Sequence, residues 1–232
     1  MSDSNGTTHD ESTDNRACCA PVGETAAGED ATEDVDGGPT GDGEAERWRP
    51  DEGVLETALP ADLRAALGEF VGEESVDTLG EWVEAVRRHT GGDAIAVGDL
   101  CHAPVRTGHW GELDGKRYDF RCFYDAVVLA ALADEPVDIH TESPDATVIE
   151  ARAVGDEELL VMPATAVFSF GIAADPPGDG DPSVEDFYTA GCPYVKAFPD
   201  RDAYEQWAGT VPAHTVAMPL SGATELAAAI AG

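Results

Sequence analysis

Tyr118-Asp119-Phe120-Arg121-Cys122-Phe123-Tyr124-Asp125-Ala126-Val127-Val128-Leu129 passes from a strand pattern to an unbroken apolar run. Leu113-Asp114-Gly115-Lys116, just before it, reads as a hairpin turn, so Tyr118 and Phe120 lie on a strand and Cys122 follows that strand. Phe123 to Ala133, rich in Ala, Val and Leu and bounded by Asp134-Glu135-Pro136, is long enough for a buried helix. If Cys122 to Asp125 forms its first turn, thiol and carboxyl share a face, because positions i and i+3 are neighbours. Soft thiolates select soft metals, and a carboxyl beside a thiol relays a proton. On spacing alone, a buried helix with Cys122 as a small hydrophobe is the simpler reading.

Downstream the period changes. Val137-Asp138-Ile139-His140, Thr147 to Ala151 and Thr165 to Phe170 have the β-branched or alternating character of a sheet. Residues 174 to 183, rich in Asp, Pro and Gly, form a loop, and Ser183 to Tyr188 a short helix that delivers Cys192. Val195 to Phe198 is a strand, Asp200 to Gly209 a helix, Val211 to Met218 a strand or loop and Ala223 to Ala231 a closing helix. The expectation is an α+β fold, a mixed or antiparallel sheet flanked by helices.

Upstream, Leu55, Leu59, Leu63, Leu67 and Phe70 recur at helical spacing, and Leu79, Trp82, Val83 and Val86 make a second apolar stripe. Residues 93 to 120 read as extended or looped, with Ala94 to Val97 a short strand. Residues 1 to 53 carry almost no large apolar side chains, so burial cannot offset the entropy of ordering, and they read as a disordered acidic tail. The organisation is therefore a tail (1–53), a small helical segment (54–110) and a further domain (111–232). No internal repeat is found.

The chain has 47 acidic against 13 basic residues, a net charge of −34, and its only lysines are Lys116 and Lys196. Such self-repulsion suits a salt-adapted, halophilic setting, since molar salt shortens the Debye length to roughly 3 Å. No basic stripe could neutralise phosphates, which argues against nucleic acid as a partner. No apolar run long enough to span a membrane and no basic, apolar export signal occurs, so the protein is expected to be cytoplasmic. Five cysteines in that setting indicate reduced thiols.

Those thiols carry the chemistry. Cys192 stands in Ala190-Gly191-Cys192-Pro193-Tyr194-Val195 and supplies a distant partner for Cys122. Cys18-Cys19 reads as an incidental pair in the tail, although a vicinal dithiol could capture a soft metal. Cys101-His102 with His109 lacks the paired spacing of a closed zinc site, and Cys101 is a third thiol that the sequence does not place. Ser169 and Ser221 sit in no nucleophile elbow, and Gly171, Gly178 and Gly180 form no phosphate-binding loop.

The block from Tyr118 to Leu129, the strands around Val137 and Val148, Gly191-Cys192, Phe198 and the aromatic helix ending at Trp207 together resemble the organomercurial (alkylmercury) lyase family. The resemblance extends over roughly residues 111 to 230. It implies an active site formed by a cysteine that ends a strand, an aspartate three residues later and a second cysteine before an aromatic strand, here Cys122, Asp125 and Cys192. Many members have a vicinal cysteine pair and nearby histidines at the second site, where this chain has one thiol. The family's winged-helix-like N-terminal part is shortened here to residues 54 to 110, with no matching motif.

The resemblance implies protonolysis of the carbon–mercury bond of R–Hg–X, giving R–H and Hg(II), in mercury detoxification. Cys122 and Cys192 would hold mercury as substrate and product, and Asp125 would move the proton. Arg121 is assigned no role. No cofactor is expected beyond a thiol for product release. Expected partners are organomercurials, with low-molecular-weight thiols or a mercuric reductase as Hg(II) acceptor. Two alternatives stand: a non-catalytic binder of Hg(II) or another thiophilic metal, and a redox protein cycling a Cys122–Cys192 disulfide.

Overall fold

The computed structural model describes residues 47–49, 53–89, 92, 95–133, 135–154, 158–177 and 180–232. Most of the stretch read as a disordered tail, with Cys18 and Cys19, lies outside them. Structure nonetheless reaches back into that stretch: Trp48 bridges Ala217 in parallel, and the Arg49 N–H donates to the Ala217 carbonyl at 2.8 Å.

Helix α1 (Ala61–Val71) follows Pro60, carries Asp62 in its first turn and stops at Gly72, whose φ of 72° is the left-handed conformation that glycine adopts without steric cost. Helix α2 (Leu79–His89) places Arg87, Arg88 and His89 in its last turn, where cations meet the carbonyl end of the dipole. Strands β1 (Trp110–Leu113) and β2 (Lys116–Asp119) turn through Asp114 and Gly115, with φ of 52° and 73°, the two positive dihedrals that a tight hairpin requires. Helix α3 (Tyr124–Ala133) follows, as the apolar run predicts.

Strands β3 (Pro136–Glu142), β4 (Val148–Val154) and β5 (Glu158–Met162) complete a five-stranded antiparallel sheet of order β2-β1-β3-β4-β5. Next come β6 (Val167–Ala173), helix α4 (Val184–Ala190) with a Ser183/Asp186 capping box, β7 (Ala197–Phe198), helix α5 (Arg201–Ala208) capped by Asp200, β8 (Ala213–Pro219) and helix α6 (Ala223–Ala231). Strands β7-β6-β8 form a second antiparallel sheet. The fold is thus α+β, with antiparallel sheets and flanking helices.

Two elements differ from expectation. The strand expected over Ala94 to Val97 is absent from its described part, and Val97–Asp99 forms a 3-10 turn whose Asp99 side chain accepts the Ala96 N–H at 2.9 Å. That local bond competes with sheet pairing. Strand β5 is not foreseen, because as a sheet edge it leaves Leu160 and Met162 56% and 74% exposed and so lacks the inward-apolar alternation.

The core runs through both the helical segment and the sheets. Phe70 of α1 meets Phe187 of α4 edge-on at 5.1 Å, Trp82 of α2 meets Phe170 of β6 at 5.9 Å, and Tyr124 of α3 stacks on Phe168 at 5.7 Å. Each fully buried phenylalanine contributes roughly 1.5–3 kcal/mol from burial, and each ring pair about another 0.5–1.5 kcal/mol. These contacts bring α2, α3, α4 and β6 around one space. Among the described residues no helix is long and apolar enough to cross a membrane.

Candidate active site

Cys122 occupies the bend between the hairpin and α3. Three backbone bonds hold the segment from Asp119 to Arg121: Phe120 N–H to His109 O at 2.9 Å, Arg121 N–H to Cys101 O at 3.0 Å and Ala103 N–H to Asp119 O at 2.8 Å. They lay Cys101 alongside Cys122, a pairing between distant segments that gives no local sequence signal. Asp125, in the first turn of α3, receives the Cys122 thiol on Oδ2 at 3.1 Å and the Cys101 backbone N–H on Oδ1 at 3.1 Å.

Cys192 opens a 3-10 turn, Cys192–Tyr194, directly after α4. Ser169 of β6, fully buried, ties that turn to the sheet: its hydroxyl donates to Tyr194 O at 2.7 Å and accepts the Lys196 N–H at 3.1 Å. The serine that lacked a nucleophile motif is therefore a brace. Cys192 and the Cys122 thiol line one common space. Cys101, Cys122 and Cys192 are all in the thiol state, Cys122 buried and the other two partly exposed.

The electrostatics favour the protonated forms of Cys122 and Asp125. The hydrogen bond with Cys192, burial and the Asp125 charge push the Cys122 thiol well above its ordinary pKa. Burial also raises the Asp125 carboxyl, against the lowering effect of the bonds from Cys101 and Cys122. A thiol that resists ionisation then sits next to a carboxyl able to take and return its proton. Tyr188 of α4 reaches the same place, and burial together with the nearby Cys101, Asp125 and Cys192 pushes its phenol up to about 12.

Two hollows meet at the thiol pair. One is a cavity of about 580 Å³, within the usual range for small-molecule sites, whose wall includes Trp82, Val86, Phe168, Phe170, Phe187 and Leu226. Cys122, Asp125, Tyr188 and Cys192 also line it. Sharing Cys122, Tyr188 and Cys192 with it is a second pocket of only about 20 Å³, bordered by the three thiols, Tyr188, Pro193, Arg121 and Lys196. An apolar group can thus be accommodated beside Asp125 while a soft metal touches two sulfurs.

The structure brings Cys122, Asp125 and Cys192 together. It adds Cys101, Tyr188, Arg121 and Lys196, none of which the sequence assigned to the site; the neighbourhood of Cys192 in the chain was the available signal for Tyr188 and Lys196. His102 and His109 face other partners, with His102 Nε2 2.8 Å from Val97 O and His109 Nδ1 2.7 Å from Thr141 Oγ1. Among the described residues no group of three or more His, Cys, Asp or Glu side chains is arranged to hold a metal ion.

None of the curated proteins compared matches the chain. A solved structure described as the mercury-bound form of MerB2 is 14% identical, with a TM-score of 0.44, over 78% of this chain and 95% of that one. The family profile described as MerB, alkylmercury lyase, matches residues 103–232, more than half of the sequence and the part that contains Cys122, Asp125 and Cys192. The chain belongs to the alkylmercury lyase family of enzymes.

Proposed function

We propose that this protein cleaves the carbon–mercury bond of organomercurials by protonolysis, as part of mercury detoxification in a salt-adapted cytoplasm. The observation that carries the reading is the 3.1 Å contact between the Cys122 thiol and Asp125, beside Cys192 and under the apolar cavity. Residues 111–232 form the catalytic unit, with the segment 54–110 contributing Trp82 and Val86 to the cavity wall.

The partly exposed Cys192 takes R–Hg⁺ from R–Hg–X as its thiolate and releases X⁻. Cys122 then joins mercury while Asp125 accepts its proton, giving a three-coordinate R–Hg centre with two sulfur ligands. Electron donation from both thiolates places negative charge on carbon. Asp125 returns the proton to that carbon, R–H leaves, and Hg(II) remains on Cys122 and Cys192. Protons and charges balance without an oxidant or a cofactor; two molecules of a small thiol, or a dithiol on a mercuric reductase, lift Hg(II) away and restore the thiols.

Purified protein in high salt with excess thiol is expected to release benzene from phenylmercuric acetate. Benzene no higher than in a thiol-only control would sink the reading, and mercury retained without benzene would instead favour a non-catalytic metal binder.

A further inference from the structure

The small pocket breaks the charge pattern of the chain. Against a net charge of −34, most described arginines pair with a carboxylate, as in Arg47–Asp62, Arg64–Asp77, Arg88–Glu73, Arg152–Asp138 and Arg201–Glu205. Arg121 and Lys196 have no such partner among the described residues, yet both are half-buried and border the pocket next to Cys101, Cys122 and Cys192. Lys196 is also one of only two lysines in the chain. Withholding two cations from an abundance of carboxylates and placing them beside thiols suits a ligand with both a soft sulfur and negative charge.

We propose that Arg121 and Lys196, bordering this pocket of about 20 Å³, recognise the carboxylates of a small anionic thiol that approaches from solvent, the carrier that brings the organomercurial in as its mercaptide and takes Hg(II) away. The proposal rests on the reading of Cys122 and Cys192 as the mercury-holding pair. On entry, a Cys192 thiolate displaces the carrier from R–Hg–SR′, forming the enzyme S–Hg bond as R′S⁻ leaves. On exit, two carrier thiols form Hg(SR′)₂ and return one proton each to the protein sulfurs. Mercury stays divalent throughout. Arg121 and Lys196 would hold the carrier carboxylates, while the hydrocarbon group lies in the apolar cavity that shares Cys122 and Cys192 with this pocket. An Arg fork and a Lys ammonium both suit carboxylates, the first by paired N–H donors and the second as a point charge.

The test compares three probe thiols: mercaptosuccinate, with two carboxylates, neutral 2-mercaptoethanol and cationic cysteamine, matched in thiolate concentration. KM for the phenylmercury adduct of mercaptosuccinate should be lower than that for the cysteamine adduct by about tenfold, the sum of two modest charge contacts. In the Arg121→Gln/Lys196→Gln double variant that ratio should fall to about one, whereas Arg121→Lys and Lys196→Arg should keep most of it. A second readout needs no turnover: Hg(II) is presented as its bis-mercaptosuccinate or bis-cysteamine complex, and mercury retained on the protein after gel filtration is measured. Faster loading from the anionic complex, abolished in the double variant, supports the proposal. Equal loading from both complexes in the wild type, or a preference unchanged in the double variant, overturns it. Absence of benzene with every thiol would sink the lyase reading alone, since the loading comparison still decides this one.

Discussion

The backbone N–H of Cys101 donates to Asp125 Oδ1 at 3.1 Å, which leaves Oδ2 for the Cys122 thiol at the same distance. One carboxylate oxygen is held in place by the main chain and the other handles the proton. The bond to a backbone N–H does not depend on the side chain at position 101, so the orientation of Asp125 is built into the path of the loop.

Asp125→Asn keeps the shape and can still accept the Cys101 N–H, but it cannot carry a proton to carbon. Hydrocarbon release is expected to fall by about 10²–10⁴-fold, the usual contribution of a positioned acid–base group. Mercury retained per protein after Hg(II) loading should stay near the wild-type value. Gas chromatography of the headspace and mercury analysis of the same samples separate the two effects.

The same substitution should change stability with pH. Burial raises the Asp125 carboxyl in the folded state above its unfolded value, so its favourable contribution is present below the unfolded pKa and is lost as pH rises through the folded one. Asp125→Asn removes that loss. Thermal melts should place Tm of the variant above wild type at neutral pH, with the gap closing as the pH falls below the ordinary carboxylate range.

His109 has the opposite sense. Burial, with the Lys196 and His140 charges, lowers its pKa from 6.5 to about 4, so the unfolded chain takes up the proton first as pH falls. Stability linked to this ring is complete above the unfolded value and is lost between about pH 6.5 and 4, on the order of 3 kcal/mol. His109→Gln should show a shallower drop in urea-unfolding free energy across that interval, and an unchanged slope would reject the assignment.

Gly171 lies where β6 meets β8, and a Cβ there would fall 2.5 Å from the His214 carbonyl oxygen and 2.7 Å from Thr215 Cγ2. The obstacle includes backbone, so it cannot swing aside. Gly171→Ala is expected to cost about 1–3 kcal/mol, with Tm lower by about 2–4 °C for each kcal/mol. Differential scanning calorimetry reads this directly.

Much of the fold was legible because its signals are local. The Asp114-Gly115 turn, the apolar run of α3 and the helices that begin at Ser183 and Asp200 each announce themselves within a few residues. Strand β5 and the turn at Val97 were not, the first because an edge strand exposes Leu160 and Met162, the second because one side-chain bond from Asp99 decides it. In the site, Cys122 and Asp125 are three residues apart and readable as a unit. Cys101 is brought in by pairing across segments, which no spacing encodes, whereas Tyr188 lies four residues before Cys192 and was within reach of the sequence.

The Tyr124 hydroxyl, buried one residue before Asp125, donates to the Ala223 carbonyl at 2.7 Å, and Leu226 and Ile230 of α6 close the large cavity. A growing chain that has not yet reached Ala223 therefore lacks both the acceptor for that hydroxyl and part of the cavity wall. Cys122, Asp125 and Cys192 would all have been synthesised by then, but not yet enclosed. The order of synthesis thus brings α6 in after every thiol of the site, and a half-made protein emerging from the ribosome would present bare thiols to mercury before it could do anything with the metal.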